Sequence, residues 1–292
     1  MNARNRNRPA DRASHRRLGL AILGLAAMML LGCDKLPGSA SASGKKGDGA
    51  GKVLPPTSTG DILKTYRPFL AVIETSWEEA PTALGGYKNR GVLGTGIMVS
   101  SDGRSALVLT NRRMIDPRYK RNDLARTRNV VFRVATPGQK TAGQYQYARL
   151  VAVHMNGDDL ALLRIAAPSE NPFTLPLGDT SATRAGDKVT IIGRPAGEGF
   201  AVHEGLVSNF WQDSAVGGKS LQISMTIGPD STTGPVFSHK SGKLVGIMRG
   251  EMDTVGSPAM GVATPADHLR KADFWDYLME EVPTRELLAA LK

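Results

Sequence analysis

The chain has 292 residues, 41 % of them hydrophobic and 22 % charged. That is enough apolar material for one large domain or two modest ones, and too much for a disordered chain. The formal charge of +10 suggests an anionic partner, yet residues 1–32 hold six Arg and one Asp, and the remainder has only 31 basic against 26 acidic residues. With no nucleic-acid-binding motif beside that mild excess, no nucleic-acid partner is expected. One cysteine, Cys33, excludes an internal disulfide framework.

Residues 1–17 carry Arg4, Arg6, Arg8, Arg12, Arg16 and Arg17, and LGLAILGLAAMMLLG follows at 18–32. This apolar run of 15 residues is shorter than the roughly 20 that a helix needs to cross a hydrocarbon core. A positive segment, a short apolar core and small residues make 1–32 a secretory signal. Leu30-Leu31-Gly32-Cys33 resembles the bacterial lipobox, which implies lipidation of Cys33 and a chain anchored in the bacterial cell envelope, facing the periplasm. Asp34 resembles the inner-membrane retention signal of some lipoproteins. The alternative is an uncleaved signal anchor with Cys33 as an incidental thiol. Residues 33–60 are Gly, Ser, Ala, Lys and Pro with little to bury, a flexible tether with a reach of roughly 30 Å.

Apolar periodicity returns at Asp61, and a domain is expected over 61–272. Ile62–Thr75 reads as a short helix running into a strand, with Pro68 at the break, and 76–90 reads as a loop. Val92–Val99 and Ala106–Leu109 are strands joined by a hairpin turn, Ser101-Asp102-Gly103-Arg104. Further strands are expected at 129–134 and 145–154, and in Leu160–Ile165 behind Asp159. In 221–237, Leu221, Ile223, Met225 and Ile227 alternate with smaller or polar residues, the pattern of a half-buried strand. A turn at 228–235 then leads into Val236-Phe237. Residues 273–292 read as an amphipathic helical tail broken at Pro283.

Several of these blocks resemble the Deg/HtrA serine proteases in one register over residues 90 to 270. The segment 91–115 is similar to their G-S-G-F-I-V-S-x-D-G-x-I-L-T-N-x-H-V-V block. Asp159-Leu-Ala-Leu-Leu-Arg-Ile resembles D-L-A-L-L-K-I, and 177–197, 203–210, 242–250 and 260–272 follow the later strands and the closing helix. The resemblance implies an all-β fold of two packed six-stranded antiparallel barrels, trypsin-like, with a C-terminal helix and a site in the cleft between the barrels. It also implies no cofactor and no metal. The chain after Ala272 is too short for a PDZ domain.

The resemblance places Arg113 at the catalytic histidine, Asp159 at the orienting aspartate and Thr232 at the nucleophilic serine. Asp230, Ser231 and Thr233 take the G-N and following G of the G-N-S-G-G-P turn. A serine-protease mechanism needs a base that titrates near working pH. A guanidinium accepts no proton. Threonine is crowded by its methyl, and threonine nucleophiles use an N-terminal amine that a mid-chain residue lacks. Asp230 would put a carboxylate near the developing oxyanion. Arg113 beside Asp159 suggests a charge-assisted pair, and His154, His203 and His239 read as surface or strand-end residues. Arg104, Arg112, Arg118, Lys120 and Arg121 form either a basic rim on the cleft or a solvated surface. Three functions stay open: a lipid-anchored pseudoprotease that binds an envelope protein or peptide, an active serine-type endopeptidase, and a structural envelope lipoprotein.

Overall fold

The computed structural model describes residues 58–80, 86–116, 127–137, 144–154, 158–193, 199–213, 218–225, 233–252 and 260–270. Cys33, the tether as far as residue 57, the 228–232 turn, Arg118, Lys120, Arg121 and the tail after 272 lie outside them, whereas residues 58–60 of the expected tether cap and open the first helix.

The first element is helix α1, Thr59–Tyr66. Ser58 caps it by accepting a hydrogen bond from the Asp61 amide at 3.0 Å, which satisfies one of the orphan donors at a helix start. Ile62 and Tyr66, four residues apart on one face, are its buried residues. Pro68, in a 3-10 turn at Arg67–Phe69, lacks the N–H that would continue the helix. The chain then runs straight into strand β1, Leu70–Glu79.

Strands β2 (Lys88–Ser101), β3 (Ser105–Asn111), β4 (Thr127–Ala135), β5 (Gln146–Tyr147), β6 (Arg149–Val153), β7 (Leu160–Ala166) and β8 (Phe173–Thr174) complete the first sheet. Its order is β5-β4-β1-β2-β3-β7-β6, with β8 on β2. The two end strands are consecutive pieces of one segment, parted only at Ala148, whose N–H still donates to Phe132 O at 2.9 Å. The sheet therefore rolls up on itself. The side-chain amide of Gln146 imitates a strand partner across the seam, donating to Ala166 O at 3.2 Å and accepting from its N–H at 3.1 Å.

The second sheet is a closed six-stranded barrel of β9 (Lys188–Gly193), β10 (Ala201–Asp213), β11 (Gly218–Ser224), β12 (Gly234–Ser238), β13 (Leu244–Met252) and β14 (Met260–Pro265), ordered β10-β11-β14-β13-β12-β9. A short 3-10 helix, Ala266–Arg270, follows. The fold is all-β and of the two-barrel kind that the sequence implies.

The apolar character of β3 and β7 has a direct cause. Ala106 and Val108, with Ala161 and Leu163, face the core of the first sheet. The alternate residues Leu107, Leu109, Leu160 and Leu162 pack with Phe237, Leu244 and Ile247 of the second barrel. These strands are covered on both faces, so they lose the polar-apolar alternation of a half-exposed strand.

A further expectation is corrected. Residues 76–79 and 88–90 are not loop, because Ser76, Trp77 and Glu79 pair with Gly91, Arg90 and Lys88 across the β1–β2 ladder. Exposed positions and polar residues there erase the hydrophobic signal, while cross-strand contacts such as Glu79–Arg90 at 2.9 Å support the ladder.

Candidate functional site

The candidate site lies where β3 ends and the chain turns into α2, Arg112–Ile115, against the residue that opens β7. Asp159 is fully buried and adopts φ 55°, a left-handed conformation that Asp tolerates better than most residues. Its backbone carbonyl accepts from the Arg112 N–H at 2.9 Å. Its carboxylate caps the start of α2, accepting from the Arg113 N–H at 2.8 Å through Oδ1 and from Arg113 Nε at 2.5 Å through Oδ2. Asn111 Nδ2 donates to the same Oδ2 at 3.2 Å and to Met248 O at 2.7 Å. Burial pushes the Asp159 carboxyl above its usual range, and the Arg113 charge with these hydrogen bonds pulls the other way without cancelling the rise.

The Arg113 side chain is 18 % exposed, so it sits at the mouth of the junction and not in bulk water. Its Nη2 donates to the carbonyl of Arg249 on β13, and its Nη1 lies 2.9 Å from where a Cβ on Gly250 would stand. Gly250, at φ 125°, leaves the room that the guanidinium fills. Arg113 thus joins the two barrels: its backbone and Nε hold Asp159, and its Nη2 holds β13. A guanidinium so placed can fix a carboxylate and occupy a main-chain acceptor, but it cannot take a proton from a hydroxyl.

The neighbouring carboxylate faces elsewhere. Asp158 is fully buried, with Oδ1 2.9 Å from Nδ1 of His268 and Oδ2 3.2 Å from Nδ1 of His154, and its carbonyl accepts from Thr264 Oγ1 at 2.6 Å. Asp158 therefore ties the first sheet to β14 and the helix after it, while Asp159 holds Asn111 and Arg113, whose side chains reach β13. Among the described residues no set of acidic, His and Cys side chains is arranged to hold a metal.

Of the residues singled out from the sequence, the structure brings Arg113, Asp159 and Arg112 together. Arg112 donates to His154 O at 3.4 Å and pairs with Asp116 at 3.4 Å. Arg104 is elsewhere: it sits in the β2–β3 turn, and the seven residues of β3 put it about 23 Å from Arg113 at ordinary strand rise. Thr233 is buried and leads into Gly234, where φ is 136°. Asp230, Ser231 and Thr232 lie outside the described residues. His154 closes β6 as a strand-end residue but is buried, 1 % exposed, and not on the surface. His239 sits in the β12–β13 turn, its Nε2 2.7 Å from Thr190 Oγ1.

The sequence reading does not reach Asn111, Asp158, His268 and Arg249. The doubled acid Asp158-Asp159 is the one signal that points to the first pair of contacts, since two adjacent buried carboxylates need separate partners.

Residues 94–247 match the model of the trypsin-like peptidase domain. The chain belongs to the trypsin-like peptidase family. Among similar proteins, a probable periplasmic serine endoprotease, DegP-like, of Pseudomonas putida is 29 % identical over 73 % of this chain and 38 % of its own length. Its counterpart in Brucella suis is 35 % identical over 30 % of this chain and 18 % of its own length. The match to these relatives thus covers well under half of each of them. A solved HtrA-type protease, AlgW with decapeptide, superposes with TM-score 0.52 at 22 % identity, covering 71 % of this chain and 64 % of that one. Within the trypsin-like peptidases the chain is HtrA-like. Asp159 lies between the two barrels of this peptidase fold, and its partner is an arginine.

Proposed function

We propose that this chain is an envelope lipoprotein whose trypsin-like fold binds an extended protein or peptide segment without cutting it. The observation that carries this reading is the Arg113–Asp159 contact at 2.5 Å. The acid that would orient a catalytic imidazole is instead neutralised by a group that cannot act as a base. The junction between the barrels remains built: Asn111 donates to Met248 O at 2.7 Å and Arg113 to the carbonyl of Arg249 on β13.

The cellular place follows from two supports. The relatives are named as periplasmic, and Leu30-Leu31-Gly32-Cys33 follows an apolar run too short to span. No helix among the described residues is long and apolar enough to cross a membrane. Cys33 lipidation would hold the domain at a membrane on its tether.

The second reading, a serine-type endopeptidase, is favoured by the relatives' names. It requires a base other than Arg113 and a threonine nucleophile at Thr232. The two separate on one titration of the full chain into fluorescein-labelled, unfolded casein. Binding seen as a saturable rise in anisotropy, with intact casein on a gel afterwards, supports the first reading. Casein fragments would support the second, and neither binding nor cleavage would remove both.

A further inference from the structure

We infer that the face shared by the end of α1 and the β12–β13 turn docks on an anionic lipid surface. This face is built around Tyr66, whose ring stacks on Phe237 with centroids 4.1 Å apart and whose hydroxyl donates to Gly242 O at 2.5 Å. Helix end and turn are thereby fixed to each other. Lys64 and Arg67 flank Tyr66, and Lys240 and Lys243 flank Gly242. All four are exposed, and none makes an ion pair with a described carboxylate. Three other surface cations are paired: Lys188 by Glu204 at 2.7 Å, Arg90 by Glu79 at 2.9 Å, and Arg133 by Glu74. Asp61, one turn up the helix, is engaged by Ser58 at 2.7 Å. The four charges thus lie on two elements joined through Tyr66, and none is paired with a described carboxylate.

An anionic membrane is the occupant that the chain itself favours over an acidic protein. The folded body begins at Ser58, and only 25 residues separate it from the apolar run that ends at Gly32. That length gives a root-mean-square reach of about 25–30 Å for a Gly/Ser-rich segment. Helix α1, eight residues long, adds about 12 Å between the entry point and the four cations. A surface held in cis at that range presents itself at high effective concentration. Anionic headgroups attract such clusters within a Debye length, about 8 Å at physiological salt. Orientation of the domain in this account rests on the anchored reading proposed above, whereas the affinity of the face does not.

The test uses the full chain with vesicles of phosphatidylcholine alone and vesicles that also contain phosphatidylglycerol. Flotation on phosphatidylcholine reports the anchor. A membrane-impermeant amine reagent, read lysine by lysine by mass spectrometry, reports the face. On phosphatidylglycerol vesicles Lys64, Lys240 and Lys243 should react more slowly than Lys88 on the first sheet, each protected roughly fivefold relative to phosphatidylcholine. The protection should vanish in high salt. A variant with Lys64→Glu, Arg67→Glu, Lys240→Glu and Lys243→Glu should lose the phosphatidylglycerol-dependent flotation. If the chain floats only when phosphatidylglycerol is present, the anchor fails and the docking face stands. Equal labelling on both vesicles, binding to neither, or phosphatidylglycerol-dependent flotation that survives undiminished in the variant would overturn it.

Discussion

Arg113 and Asp159 are the two residues on which the reading turns, and their coupling makes separate predictions. Truncating Asp159 would leave the Arg113 N–H and Nε without their acceptor and a mostly buried guanidinium without its counter-charge, while Asn111 would keep its bond to Met248 O. Losing one partner of such a pair costs about 3–5 kcal/mol, so Asp159→Ala should lower the denaturant midpoint markedly at unchanged slope. A variant as stable as the parent would remove the pairing as a structural element. Arg113→His restores a titratable base beside Asp159, yet it should create no protease, because Thr232 and the Asp230 turn remain unaltered.

The pH dependence follows from the raised Asp159 carboxyl. A group whose pKa is higher in the folded than in the unfolded state contributes stability at low pH that is lost as pH rises through its folded value. The stability of the parent minus that of Asp159→Asn should therefore decline as pH climbs from about 4 toward neutrality. A difference that grows with pH would mean that the Arg113 charge outweighs burial.

At the scale of elements, glycine placement is the most exposed part of the account. Gly234 starts β12 at φ 136°, and a Cβ there would stand 2.1 Å from Ile192 O on β9. No flexible side chain can yield at that contact, so Gly234→Ala should destabilise the second barrel by several kcal/mol, more than the ordinary cost of a strained left-handed residue of about 1–3 kcal/mol. Equilibrium unfolding reads the difference. Tyr66→Phe removes only the hydroxyl bond to Gly242 and should cost about 1 kcal/mol while leaving the aromatic stack.

The elements were also where the sequence was most legible. The β2–β3 hairpin, the β7 strand and the strand from Leu221 stand out because apolar residues alternate or run together between Gly and Asp turns, whereas 177–197, 203–210, 242–250 and 260–272 are placed by the resemblance. The strand residues 76–79 and 88–90 did not stand out, since they are half-buried or exposed and include Glu78, Glu79, Lys88 and Arg90. At the site, Arg113 and Asp159 could be placed by motif register. Asn111, His268 and Arg249 could not, because their roles arise from tertiary approach of β13 and β14, which no local pattern encodes.

For the whole molecule, the junction between barrels is held by few, specific polar contacts over an apolar base of Leu107, Leu109, Leu162, Phe237 and Ile247. Asn111 to Met248 O, Arg113 to Arg249 O, and Asp158 to Thr264 and His268 cross it. In a working serine protease such a junction positions catalytic groups; here its contacts are saturated by the chain itself. Asn111→Ala should cost about 1–3 kcal/mol, since it leaves a buried main-chain carbonyl without its donor, and hydrogen exchange should rise first at β13 and not at β1.

The central claim is that this trypsin-like fold binds without hydrolysing. Its most direct measurement is incubation of the purified full chain with a fluorophosphonate probe, followed by detection of the covalent adduct in parent and Thr232→Ala. The account predicts no labelling of either. Labelling of the parent that disappears in Thr232→Ala would contradict it.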